Sequence, residues 1–178
     1  MDKKITFATA WLGGCSGCHM SFLDLDERLL ELHERADVVY SPIMDVKEFP
    51  SAVDATLVEG AVANEDNRAL LMKIRERSRL VIAFGDCAVT GNVTAMRNTF
   101  DRDAMMQEVY GPTGSILGHT PFSPLPVLEP SVLPIHRLVH VDFHLPGCPP
   151  EADLIWYVVS QLLDGRTPTL PEDQLKYG

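Results

Sequence analysis

No apolar run in this 178-residue chain approaches the roughly 18 residues needed to cross a bilayer, so no membrane-spanning helix is expected. Basic residues are scarce. Only 15 Lys and Arg stand against 25 Asp and Glu, a net charge of −10, without the Lys/Arg-rich face that phosphate binding demands, so no nucleic-acid partner is expected. Met1-Asp2-Lys3-Lys4 leads straight into a strand-like run with no apolar signal region or twin-arginine pair before it, which points to a cytoplasmic chain. Internal repeats, low-complexity segments and inter-domain linkers are also missing, and the expectation is one domain over residues 1–178. Its hydrophobic share of 46% and charged share of 22% are ordinary for a globular protein. Cysteine is sparse as well, four residues at positions 15, 18, 87 and 148. In the cytoplasm thiols stay reduced, so these four are read as metal ligands or redox groups rather than disulfides.

What is present is an alternation of strand-like and helix-like stretches. Lys4 to Leu12 is a nearly continuous apolar, β-branched run closed by Gly13-Gly14, as expected of a strand buried on both faces. A helix is expected from His19 to Arg35, with acidic residues early and Arg35 late. Asp37 to Met44 reads as a second strand, placed at an edge by Pro42, and Ala55 to Val58 as a third. Asn64 to Asn67 supplies capping residues for a helix ending near Arg77, and Leu80 to Phe84 is a fourth strand. A short helix is expected through Met96 and another from Asp101 to Tyr110. Pro112, Pro121, Pro124, Pro126, Pro130 and Pro134 predict an irregular loop from Gly111 to Pro134, with no regular helix or central strand. Leu138 to Leu145 reads as the fifth strand and Glu151 to Leu163 as the last helix. The alternation predicts a three-layer α/β domain of flavodoxin-like type with a mostly parallel sheet.

On that reading Cys15 and Cys18 follow strand one, Cys87 follows strand four and Cys148 follows strand five. All lie at the carboxyl ends of the strands, the edge where open α/β sheets bind ligands. Each has a glycine close before it, Gly14, Gly17, Gly85 and Gly147, where backbone can approach a bound group closely. Zinc held by four thiolates normally uses two short paired knuckles, whereas here the third and fourth cysteines lie far apart in the sequence. A 4Fe-4S cubane tolerates scattered ligands, and Pro149 after the last cysteine suits it. A thioredoxin-like dithiol at Cys15 and Cys18 would leave Cys87 and Cys148 unexplained. A zinc-stabilised interaction module remains the reading from a different class. FMN is not expected, because the loop after strand one that would take its phosphate carries the thiols. His19, beside Cys18, and Glu59, ending strand three, are candidates to support the bound group. His140 and His144 are expected on one face of strand five, away from ligation.

These pieces resemble the small subunits of nickel-iron hydrogenases and the related small electron-transfer subunit of respiratory complex I. The resemblance rests on Cys15-Ser16-Gly17-Cys18, Glu59-Gly60, Gly85-Asp86-Cys87 and Pro146-Gly147-Cys148-Pro149-Pro150. It implies one proximal 4Fe-4S cluster on Cys15, Cys18, Cys87 and Cys148, facing a large subunit with a nickel-iron site. The complex I relatives carry two adjacent cysteines where this chain has a spaced pair, which favours the hydrogenase branch. The lack of export signal and further cysteines resembles the soluble NAD-linked form, whose partners include a diaphorase with flavin and iron–sulfur clusters. Many members of the family have Glu where this chain has Met20, so no proton role is carried over to that position.

Overall fold

A computed structural model describes residues 4–111 and 126–170 of the chain. Strands β1 (Ile5–Trp11), β2 (Ala36–Tyr40), β3 (Val53–Glu59), β5 (Ser78–Phe84) and β7 (Phe143–Leu145) form one sheet in the order β2-β1-β3-β5-β7. Every neighbouring pair in it is parallel. Two further strands, β4 (Val62–Asn64) and β6 (Leu128–Leu133), pair antiparallel beside it. The helices are α1 (Gly17–Leu23), α2 (Arg28–Arg35), α3 (Glu65–Arg77), α4 (Asp86–Thr90), α5 (Asn92–Ala95), α6 (Arg102–Tyr110) and α7 (Ala152–Leu163). Among the described residues no helix is long and apolar enough to cross a membrane.

Alternate residues of the central strands feed two cores, which makes the three layers. Phe7, Leu57, Ile82, Phe84 and Leu145 pack with Leu25, Leu32 of α2, and Ile155, Val158 and Leu162 of α7. On the other face Ala8, Ala10, Val58, Val81 and Ala83 meet Leu71 and Ile74 of α3, Ala88 of α4 and Ile135. Each large apolar side chain buried in this way contributes about 1.5–3 kcal/mol. Two threonines sit among them without penalty: Thr9 shares a hydrogen bond with Ser41 Oγ at 3.0 Å, and Thr56 with Ser78 Oγ at 2.8 Å.

Several local expectations are corrected. The helix expected from His19 to Arg35 is two helices, because the chain turns at Asp26, whose φ is 50°, and drops Leu25 into the core. The expected second strand stops at Tyr40, before Pro42, and does occupy an edge. The helix after Cys87 is broken at Gly91, φ 89°, into α4 and α5, and a 3-10 turn follows over Met96–Thr99. Inside the expected irregular loop, Leu128–Leu133 forms a strand that contains Pro130. A proline is tolerated there because β4 occupies only one side of β6. Side chains cap the other side: Asn98 bonds both N–H and C=O of Val132, and Arg97 donates to the Glu129 carbonyl. The remainder of that loop, residues 112–125, lies outside the described residues.

The expected fifth strand shrinks to Phe143–Leu145, since Ile135–Arg137 is a 3-10 turn and a side chain replaces the ladder at Asp142. The Asp142 carboxylate accepts from Val81 N at 2.8 Å and from Arg75 at 2.6 Å, while its own N–H donates to the Val81 carbonyl. Burial pushes this carboxyl up, and the Val81 N–H, Arg75 and His140 together more than reverse that, leaving it below the usual carboxylate range. A lowered carboxyl contributes stability that is complete above the ordinary aspartate value near about 4 and is lost as pH falls through the lowered one. Asp142→Ala, which orphans the Val81 N–H, is expected to lose about 1–3 kcal/mol in urea unfolding at neutral pH, with the gap from wild type narrowing on acidification.

Candidate iron–sulfur site at the carboxyl edge

The register of the sheet puts Trp11, Glu59, Phe84 and Leu145 opposite one another, one rung at the carboxyl ends of β1, β3, β5 and β7. Every cysteine loop departs just beyond this rung. After β1 the chain is tied down by Leu12 N donating to the Glu59 carbonyl at 2.7 Å and by Gly13 exchanging both backbone bonds with Ala61. Ser16, at φ 66°, then turns the backbone into α1. Cys15 stays exposed and its sulfur accepts from Gly17 N at 3.4 Å, whereas Cys18, in the first turn of α1, is buried. Cys87 sits half-buried in the first turn of α4. Cys148 follows Gly147 in the loop between β7 and α7 and is exposed.

Glycine is required where the first two of these loops meet. A Cβ on Gly85, whose φ is +82°, would lie 2.1 Å from the Cys18 sulfur. That sulfur therefore rests on bare backbone one residue from Asp86 and two from Cys87. Burial pushes the Cys18 thiol far up, and the negative charges of Glu59, Cys87, Cys15 and Cys148 push it further in the same direction. The four cysteine loops thus leave the sheet at one edge, and Glu59 joins them there.

His19 and Glu59 form a buried pair over the rung, 4% and 2% exposed. Glu59 Oε2 accepts from the His19 backbone N–H at 3.0 Å and also pairs with His19 Nδ1. The imidazole stands edge-on to Trp11 and Phe84, with ring centroids 5.2 and 6.1 Å away. Its Nε2 is buried and has no hydrogen-bond partner, an arrangement that a polar group bound at this edge would complete. Carboxylate-oriented imidazoles of this kind are common behind metal centres.

The other histidines fall elsewhere. His140 is 80% exposed beside Asp142, while His136 and His144 lie edge-to-face at 5.9 Å. His140 does not share a strand face with His144 as expected, because β7 starts only at Phe143. Among the described residues no three His, Cys, Asp or Glu side chains converge as ligands of a single metal ion. Two site residues escaped the sequence reading: Asp86, whose Oδ1 accepts from Gly147 N at 2.7 Å, and Ser21, whose hydroxyl donates to the Pro150 carbonyl at 2.5 Å. Asp86 was visible within Gly85-Asp86-Cys87, but its partner could not be known without the fold.

Fold and edge together define a class, a parallel α/β domain of flavodoxin-like strand order whose carboxyl rim carries four thiols. A family profile described as "NADH ubiquinone oxidoreductase, 20 Kd subunit" matches residues 15–162, and the chain belongs to that family. It is 41% identical to a subunit of the F420-non-reducing hydrogenase of Methanothermobacter marburgensis over 98% of this chain, and it spans 58% of that relative. It is 39% identical to the NAD-reducing hydrogenase HoxS subunit delta of Cupriavidus necator, over 99% of this chain and 87% of that one. The chain thus spans little more than half the length of the first of these relatives. In a crystal structure of a NAD+-reducing NiFe-hydrogenase, a chain 41% identical superposes with a TM-score of 0.92, covering 99% of this chain and all of that one. A NiFeSe-hydrogenase chain of Desulfomicrobium baculatum, 18% identical with a TM-score of 0.57, shares the fold over 97% of this chain and 69% of that one.

Gly85→Ala brings both the steric clash with the Cys18 sulfur and a positive φ that alanine resists, the latter alone of order 1–3 kcal/mol. It is expected to lower the thermal unfolding midpoint and to speed alkylation of Cys18, read by peptide mass spectrometry.

Proposed function

We propose that this chain is the electron-transfer small subunit of a cytoplasmic, NAD-linked nickel-iron hydrogenase and holds one 4Fe-4S cluster on Cys15, Cys18, Cys87 and Cys148. The observation that carries this reading is that the loops of all four cysteines leave the sheet at one edge, with the Cys18 sulfur seated against Gly85. Similarity to hydrogenase subunits, including the HoxS delta subunit, supports the hydrogenase branch. When bound, such a cluster supplies one-electron transfer.

Each part of the chain then has a task. The four thiols hold the group, and a bound metal takes the place of the proton that burial otherwise keeps on Cys18. Glu59 fixes α1, and with it Cys18, through the His19 backbone and ring. Phe84 and Leu145 keep water from the inner side of the site. The exposed side, where Cys15 and Cys148 lie, faces the partners between which electrons are relayed: a large subunit with a Ni-Fe site and a diaphorase with flavin and iron–sulfur clusters. No bond is made or broken by this chain alone.

Anaerobic purification followed by iron, sulfide and nickel assays and by EPR of the reduced protein tests the assignment. Iron and sulfide in equal amounts are expected, with nickel in the co-purifying large subunit, and Cys87→Ser is expected to lose most of the cluster. Zinc without sulfide would overturn the reading, and a partner without nickel would move it to the complex I branch.

His19 gives a finer test. His19→Asn keeps a donor near the Nδ1 position for Glu59 and deletes the unpartnered Nε2. If the ring carries hydrogen on both nitrogens, with Nδ1–H donating to Glu59 and Nε2–H to a cluster sulfur, the second bond favours the reduced, more negative form, so the variant is expected to keep its iron and show a lower midpoint potential. An unchanged potential removes that role.

A further inference from the structure

The loop carrying Cys148 has no regular structure of its own between β7 and α7, yet its backbone is fastened on both sides of the cysteine. Before it, Gly147 N donates to Asp86 Oδ1 at 2.7 Å, and the Gly147 carbonyl accepts from Asp86 N at 2.9 Å. Beyond it, the Pro150 carbonyl accepts from the Ser21 hydroxyl at 2.5 Å. Both side chains are buried, Asp86 3% and Ser21 7% exposed. Asp86 belongs to α4, the helix of Cys87, and Ser21 to α1, the helix of Cys18. Gly147 has φ +133°, and a Cβ on it would lie 2.6 Å from Pro150 Cα, so the loop is folded tightly upon itself between the two fastenings.

We infer that Asp86 and Ser21 are positioning residues, a two-point clamp by which the helices of Cys87 and Cys18 hold the Cys148 loop in place as the fourth ligand. This rests on the four-cysteine site proposed above, but it assigns to two further residues the task of keeping that site closed. The reason is physical. An exposed cysteine in an irregular loop has little local structure to hold it, and a backbone N–H donated to a carboxylate is among the stronger single fastenings available. Without the clamp the loop moves away, Cys148 is the ligand lost, and the iron it holds is the one released.

The experiment compares wild type, Asp86→Ala, Asp86→Asn and Ser21→Ala as full chains. The first measurement is the iron-to-sulfide ratio and EPR spectrum of anaerobically purified protein after brief exposure to air. Asp86→Ala is expected to fall below one iron per sulfide and to give the signal of an oxidised three-iron form. Ser21→Ala is expected to show the same change to a lesser degree. Asp86→Asn, whose side-chain carbonyl can still accept from Gly147 N, is expected to restore the wild-type ratio. The second measurement is alkylation of each cysteine in metal-free protein, in which Asp86→Ala is expected to accelerate Cys148 several-fold more than Cys15, Cys18 or Cys87. An unchanged ratio with unchanged Cys148 reactivity overturns the clamp, as does an equal acceleration of all four cysteines, which would mark general unfolding. Because the alkylation needs no cluster, wild-type protein lacking iron and sulfide would sink the proposed function while Cys148 reactivity still decides the clamp.

Discussion

The seat of the Cys18 sulfur on the bare backbone of Gly85 is the constraint on which the carboxyl edge depends. Any side chain there would collide with the sulfur and separate the loop after β1 from the loop after β5. The contact forms because parallel pairing sets β1, β3 and β5 side by side in matched register, so that both loops leave the sheet at the same level. At the usual strand spacing, β1 and β5 stand about 10 Å apart across β3, a gap that two short loops can close. The parallel sheet in turn depends on the helices that cover it, and the largest fully buried side chains, among them Phe7, Phe84, Leu57 and Ile155, join sheet and helices into one body.

Charge at this edge is arranged against the ordinary preference of an apolar core. Glu59 and His19 are nearly inaccessible, and their pairing offsets part of the penalty that either alone would carry. The pair also fixes direction: Nδ1 is committed to the carboxylate, and Nε2 is the ring atom left for another partner. Cys18 is pressed toward its neutral form by burial and by the acidic groups around it.

Much of this was legible in the residues. The apolar runs at β1, β3 and β5 announced buried parallel strands, Asn64 does cap α3 by accepting from Asn67 N, and Pro42 marked an edge. Glycines beside the cysteines pointed to close backbone approach, which Gly85 and Gly147 display. The failures have a common cause. The strand expected from Leu138 was shortened by a carboxylate that imitates a backbone acceptor, and β6 was hidden by a proline that a two-stranded ladder tolerates. The single helix expected through Arg35 was divided because Leu25 gains more from the core than from helical continuity. Each depends on a partner distant in the chain, which local pattern does not record.

By itself the sequence determined four thiols and the glycines beside them that let backbone approach closely, since residue type and spacing are local properties. It also determined the alternation of strand and helix, because periodicity of apolar residues is written along the chain. Only the tertiary structure decided which side chains fasten the loops around those thiols. Asp86 reaches a partner 61 positions away and Ser21 one 129 positions away, while Glu59 meets His19 across 40. Hydrogen bonds of that span exist only once the sheet has set its register, because a donor and an acceptor so far apart in the chain acquire a fixed distance only from the packing of the elements that carry them.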